Sequence, residues 1–115
     1  MFISPAKALL YIALNNLIGN AFKFSGNQPV SLLLETTNGM VRIKIHDKGI
    51  GIPPEDKERI FEAFYRSESA AEYAGNGIGL YVTNKIIQML NGEIEVLSLA
   101  GSGTVITVQF HNSEV

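Results

Sequence analysis

Residues 41–53 read VRIKIHDKGIGIP, and the change of character along this stretch decides the fold. Val41, Ile43 and Ile45 alternate with Arg42, Lys44 and His46, the period-2 pattern of a strand with one covered and one wetter face. At Asp47 the alternation gives way to a glycine-rich turn, so a carboxylate stands at a strand end. Asp-Lys-Gly is by itself a common turn signal. It also has a chemical reading: the carboxylate accepts a hydrogen bond from an exocyclic amine, while Gly49 and Gly51 let a flat ring approach the backbone. Such an acid selects against a base with a carbonyl at that position.

Toward the N-terminus, Asn38-Gly39 is a dipeptide favoured in tight hairpins because both residues tolerate positive φ. A strand over 30–36 is therefore expected to pair antiparallel with the first. Ser4-Pro5 reads as an N-cap followed by proline at the first helical position. Leu9, Leu10, Ala13, Leu17 and Ala21 continue at helical spacing, predicting a helix over about 5–24 that ends near Ser25-Gly26. Within it Asn16, Asn20 and Lys23 fall at i, i+4 and i+7, one stripe of an otherwise apolar helix. Two amides and an ammonium converging there suit a metal and a phosphate. They also suit the solvent-facing side of an amphipathic helix, and both readings stand at this point.

Toward the C-terminus, Pro53-Pro54 followed by Glu55 and Asp56 marks a short helix start, with Ile60, Phe61 and Phe64 as anchors. Residues 66–76, RSESAAEYAGN, lack apolar periodicity and form the candidate mobile lid. A helix is predicted over 79–90, with Leu80, Thr83, Ile87 and Leu90 on one face and Asn91-Gly92 as its stop. In the two remaining strands Ile94 and Val96 alternate with Glu93 and Glu95, and Ile106, Val108 and Phe110 with Thr107 and Gln109. One apolar face per strand implies a two-layer α/β sandwich, a sheet covered by helices on one side.

Residues 75–80, GNGIGL, directly precede the second long helix. Alternating glycines alone often mean only a flexible loop, but at a helix N-terminus free N–H groups attract phosphate and glycines permit close contact. The stretch lacks the Gly-Lys-Ser/Thr ending of a Walker loop and does not follow a strand as a dinucleotide fingerprint does.

Composition narrows the class. A length of 115 residues, 46% hydrophobic and 17% charged, fits one globular domain over 1–115. A formal net charge of −2 and the absence of a local Lys/Arg cluster argue against nucleic acid. With no cysteine there is no disulfide framework or thiolate metal site, which fits the cytoplasm. No stretch reaches the roughly 18 apolar residues of a membrane span, so any anchor of a parent protein lies elsewhere.

Taken in order, NLIGNAFKFS, DKGIGIP, IFEAFYRS, GNGIGLYVTNKI and GSGT resemble the N box, first glycine box, F box, second glycine box and third glycine box of sensor histidine kinase catalytic domains. The match runs from about Ala6 to Phe110. These domains belong to the wider GHKL group with gyrase and MutL. The resemblance implies the Bergerat ATP-binding fold, an α/β (α+β) sandwich whose mixed, mostly antiparallel sheet is covered on one face by about three helices.

It also implies roles. Asn20 matches the Mg2+-ligating asparagine, Asn16 the other polar N-box position, Lys23 a phosphate-contacting lysine, and Phe24 an aromatic beside the nucleotide. Asp47 matches the adenine-reading aspartate, with Gly49, Gly51 and Ile52 around the base. Gly75, Gly77, Ile78, Gly79 and Leu80 match the phosphate-side box. Arg66 stands where the family often has a lid arginine near the γ-phosphate, and Thr104 where a hydroxyl helps hold adenine through water. The cofactors implied are ATP and Mg2+, and Asn16, Lys23 and Arg66 are the candidates for a part in catalysis.

In ATP-hydrolysing relatives the position of Asn16 is a glutamate that activates water, and an amide has no comparable basicity. Phosphoryl transfer to a protein is therefore expected over hydrolysis, with a GHKL ATPase and a non-catalytic ATP-gated interaction module as the alternatives. The family's domain begins with a strand before the first helix, whereas this chain starts almost at that helix, as a trimmed piece would. The acceptor histidine belongs to a separate dimerising helix. His46-Asp47 imitates the start of that motif but lies on a strand, so His46 is expected at the surface and His111 near a terminus. The implied partners are the dimerisation and histidine phosphotransfer domain of the same kinase and a response regulator. This domain is expected to be monomeric alone, with no membrane contact, and its parent a homodimer whose anchor, where it has one, lies in the inner membrane.

Overall fold

Elements form where local chemistry permits them, and the computed structural model describes residues 3–26, 28–49, 51, 56, 59–62, 79–99 and 102–115. In chain order these give α1 (Pro5–Phe24), β1 (Ser31–Thr37), β2 (Met40–Asp47), α2 (Gly79–Met89), β3 (Glu93–Leu99) and β4 (Gly103–His111), then a 3-10 turn at Asn112–Glu114. Ser4 caps α1 by accepting the Lys7 N–H at 3.2 Å, and Pro5 opens the helix where its missing donor is harmless. At the other end the Ser25 hydroxyl lies 3.1 Å from the Phe22 carbonyl and 3.2 Å from that of Gln28.

The stop of α2 refines the sequence reading. Gly92 N–H reaches the Ile87 carbonyl at 2.9 Å and Asn91 N–H that of Gln88 at 3.0 Å, a Schellman closure. The left-handed residue is Asn91, at φ +54. Gly92 is needed for another reason: a Cβ there would stand 2.5 Å from the Gln109 carbonyl oxygen of β4.

The sheet order is β1-β2-β4-β3. All three pairings are antiparallel, so the described strands supply the antiparallel part of the expected sheet. Asn38 at φ +52 and Gly39 at φ +81 turn the β1–β2 hairpin as expected. Ile43, Ile45, Ile106, Val108 and Phe110 point to the helical layer. They meet Ala13, Leu17 and Ala21 of α1 and Ile86, Ile87 and Leu90 of α2. Burying one such Leu or Ile side chain contributes about 1.5–3 kcal/mol. The opposite face is wet, as the alternation predicts. There Arg42 donates to the Gln109 amide oxygen at 2.9 and 3.2 Å, and Lys44 lies 4.0 Å from Glu35.

Strand β1 departs from this pattern. Leu32 and Leu34 pair with Ile45 and Ile43 and so share their face, yet they remain 58% and 64% exposed. They sit at the sheet edge. The third expected helix falls mostly outside the described residues; Ile60 is buried as its anchor should be, and Phe61 is half-buried. The lid at 66–76 and Phe64 lie outside them.

Candidate functional site

The C-terminal end of β2 buries a carboxylate. Asp47 continues the covered face of Ile43 and Ile45 and is only 6% exposed. Its Oδ1 accepts the Gly49 N–H at 2.8 Å, so the turn and the acid form one unit. Burial raises its pKa above the usual 3.8, against the lowering effects of the Gly49 N–H, the neighbouring His46 and the Thr104 backbone N–H. Gly51 follows in the left-handed region at φ +75, a conformation that favours glycine.

Across the ladder, Asp47 pairs with Thr104 and Thr104 with Ser98. Thr104 is 5% exposed, and its hydroxyl lies 3.1 Å from that of Ser98. Gly103 brings the two strands together. At φ +95, its missing Cβ would run into the Asp47 carbonyl oxygen and stand 3.1 Å from Lys48 Cα. The end of the sheet thus offers a buried acceptor beside two hydroxyls, that of Thr104 buried and that of Ser98 half-buried.

A second cluster joins the two helices. Asn16 Nδ2 lies 3.5 Å from the Gly79 carbonyl oxygen, a long contact. A Cβ on Gly79 would stand 3.8 Å from Asn20 Nδ2 and 4.0 Å from Asn16 Cγ. Both amides therefore stand against the first residue of α2, where helical N–H groups lack intrahelical partners and favour an anion. Among the described residues no group of three or more His, Cys, Asp or Glu could hold a metal. Any ion here would rest on amide and phosphate oxygens, a donor set that suits a hard octahedral cation.

The sequence-predicted residues thus divide. Asn16, Asn20 and Gly79 come together, as do Asp47, Gly49 and Thr104. Lys23 is exposed in the last turn of α1 on the same stripe. Leu80 is half-buried against the core, which gives it a packing role. Phe24 is the last residue of α1. Ile52, Arg66, Gly75, Gly77 and Ile78 lie outside the described residues. His46 is exposed on the opposite face from Asp47, as expected of a surface strand residue. Two contributors escaped the sequence reading. Gly103 stood in the quoted GSGT without a role, and Ser98 is a polar residue on the covered side of an alternating strand, a signal available in the sequence.

Residues 6–114 match the model of the histidine kinase-, DNA gyrase B- and HSP90-like ATPase family. The chain belongs to this family. The chain spans less than a third of the length of the curated relatives it matches. The chain is 38% identical over 107 residues to histidine protein kinase SaeS of Staphylococcus aureus (strain USA300), a match that spans 89% of this chain and 30% of SaeS. Among solved structures, full-length ShkA in complex with AMPPNP superimposes with a TM-score of 0.77 at 30% identity, over 89% of this chain and 21% of ShkA. The mycobacterial sensor histidine kinase MprB gives 0.78 at 27% identity, over 90% of this chain and 70% of that one. Among the described residues, two helices over a four-stranded antiparallel sheet thus match the histidine kinase ATP-binding architecture. Among the described residues no helix is long and apolar enough to cross a membrane.

Proposed function

We propose that residues 1–115 are one catalytic domain that binds Mg-ATP and passes the γ-phosphate to a histidine on a separate dimerisation domain of a two-component kinase. The observation that carries this reading is Asp47, a buried acceptor held by Gly49 and Thr104 in a chain of this family. Asp47 would accept from the adenine amine, with Gly49, Gly51 and Ile52 about the ring and Thr104 adding a contact through water. Asn20 would hold the metal by its amide oxygen. When bound, Mg2+ supplies charge neutralisation on the phosphates.

Asn16, Lys23 and the first turn of α2 would orient the triphosphate, together with Gly75, Gly77, Ile78 and Arg66. Asn16 cannot act as a general base for water, which favours transfer over hydrolysis. The acid beside the acceptor histidine would take the proton, on the partner domain. A response regulator would receive the phosphoryl group next. The domain would work in the cytoplasm as part of a homodimeric parent.

Two measurements test this. ATP titrations with and without Mg2+ should show about tenfold tighter binding with the ion, the effect of about 1.4 kcal/mol, and Asn20→Ala should abolish the difference. With labelled ATP the chain alone should acquire no label, and an added cognate dimerisation domain should gain acid-labile phosphate. Steady ATP turnover, or label on this chain, would overturn the reading.

A further inference from the structure

We propose that Ser98 is a positioning residue that turns the Thr104 hydroxyl into a pure acceptor toward the purine, and so sharpens selection of an exocyclic amine beside Asp47. The proposal rests on the nucleotide reading above.

The argument is a count of protons. Asp47, Thr104 and Ser98 form one row across β2, β4 and β3. All three continue the covered side of their strands, beyond Ile45, Ile106 and Val96. The Ser98 hydroxyl reaches the Gly103 carbonyl oxygen at 3.2 Å, a contact in which a carbonyl can only accept. Its one proton is therefore committed. The same oxygen lies 3.1 Å from the Thr104 hydroxyl, and that bond must take its proton from Thr104. Thr104 then has lone pairs left for the pocket and no proton.

The consequence is an edge with one polarity. Asp47, ionised, offers only acceptors, and one of its oxygens already takes the Gly49 N–H. Thr104 beside it now also accepts. An adenine amine, or a water that donates, satisfies both. A carbonyl at the same ring position meets two acceptors and no side-chain donor. Gly103 makes the arrangement possible, since a side chain there would collide with the Asp47 backbone. The Ser98 hydroxyl bonds the residue facing Asp47 and that residue's neighbour, so it acts on the site and not only on its own strand.

The test compares ATP with inosine triphosphate, which carries a carbonyl in place of the amine, by calorimetric titration of the full chain. Wild type should prefer ATP. Ser98→Ala frees the Thr104 hydroxyl to donate, and the preference should fall about fivefold, the scale of one hydrogen bond. Ser98→Thr, which keeps the hydroxyl, should keep the wild-type ratio. Adding Ser98→Ala to Thr104→Val should leave the ratio of the single Thr104→Val variant unchanged. Should the alanine variant fail to fold, Ser98→Cys, whose sulfur accepts only weakly from Thr104, takes its place with the same expected loss. A wild type indifferent to the two nucleotides overturns the nucleotide reading and this proposal with it. A wild type that prefers ATP, with an unchanged ratio in Ser98→Ala or Ser98→Cys, overturns this proposal alone.

Discussion

The ladder between β2 and β4 ends in two different ways. At one end Met40 faces His111, and at the other Asp47 faces Thr104. Each end carries a glycine with positive φ, Gly39 at +81 and Gly103 at +95, and at each a Cβ would collide with something across the gap. At the hairpin end that neighbour is the ring of exposed His111, 2.8 Å from the hypothetical Cβ, whose own hydrogen bonds go to Ser113. At the other end it is the backbone of a buried acid. A histidine ring can swing into water, whereas backbone inside a ladder moves only with its strand. The same backbone device is therefore a plain turn at one end and part of a site at the other, and burial of the acceptor makes the difference.

The largest expected effect comes from breaking the site end. Gly103→Ala adds strain at positive φ and forces Asp47 and Lys48 aside, together about 3 kcal/mol. The melting temperature should fall by about 10 °C or more, and ATP affinity should fall with it. Calorimetric melting and ATP titration check both. A variant that melts near wild type and binds ATP normally would erase the distinction between the two ends.

Asp47→Asn should act on binding more than on folding. The amide can donate as well as accept, so the purine edge loses its single polarity, and ATP affinity should drop about thirtyfold, on the order of 2 kcal/mol. The pH dependence has a definite sign. Burial raises the native pKa of Asp47 above its ordinary 3.8, so between the two values the folded chain holds more protons than the unfolded one. Stability therefore falls as pH rises through that window and levels off above the native pKa. An asparagine does not titrate. Denaturant melts over a pH series should show the variant gaining on wild type from about pH 3.8 upward. In wild type, ATP binding should weaken on acidification from a pH above the ordinary carboxylate range.

How far the sequence carried this comparison depends on the kind of interaction. The alternation of Ile43 and Ile45 with Lys44, and the Asn38-Gly39 turn, depend on neighbours along the chain, and both were legible. The i, i+4 spacing of Asn16 and Asn20 likewise predicted two amides on one flank. That they stand against Gly79 depends on how α1 packs on α2, which local pattern does not encode. The exposure of Leu32 and Leu34 has the same origin, since only the sheet order makes β1 an edge. Gly103 and Ser98 were missed because their partners lie across strands, Gly103 against Asp47 and Ser98 against Thr104. A glycine that opens a strand and a serine among isoleucine and valine are visible in the sequence, but what they touch is known only with the register.

The hairpin end gives the smallest expected effect and the sharpest control. Gly39→Ala requires a left-handed alanine, a penalty of about 1 kcal/mol, while the His111 ring yields at little further cost. The melting temperature should fall by about 4 °C. ATP affinity and the preference for ATP over inosine triphosphate should stay at wild-type values, because seven paired positions, Met40 to His46, lie between this turn and the acid. Asparagine, which already occupies φ +52 at position 38, should be tolerated better at 39 than alanine. If ATP affinity moves with Gly39→Ala, the ladder carries strain from one end to the other, and the site is then set by the whole β2–β4 pair rather than by the residues that close over Asp47.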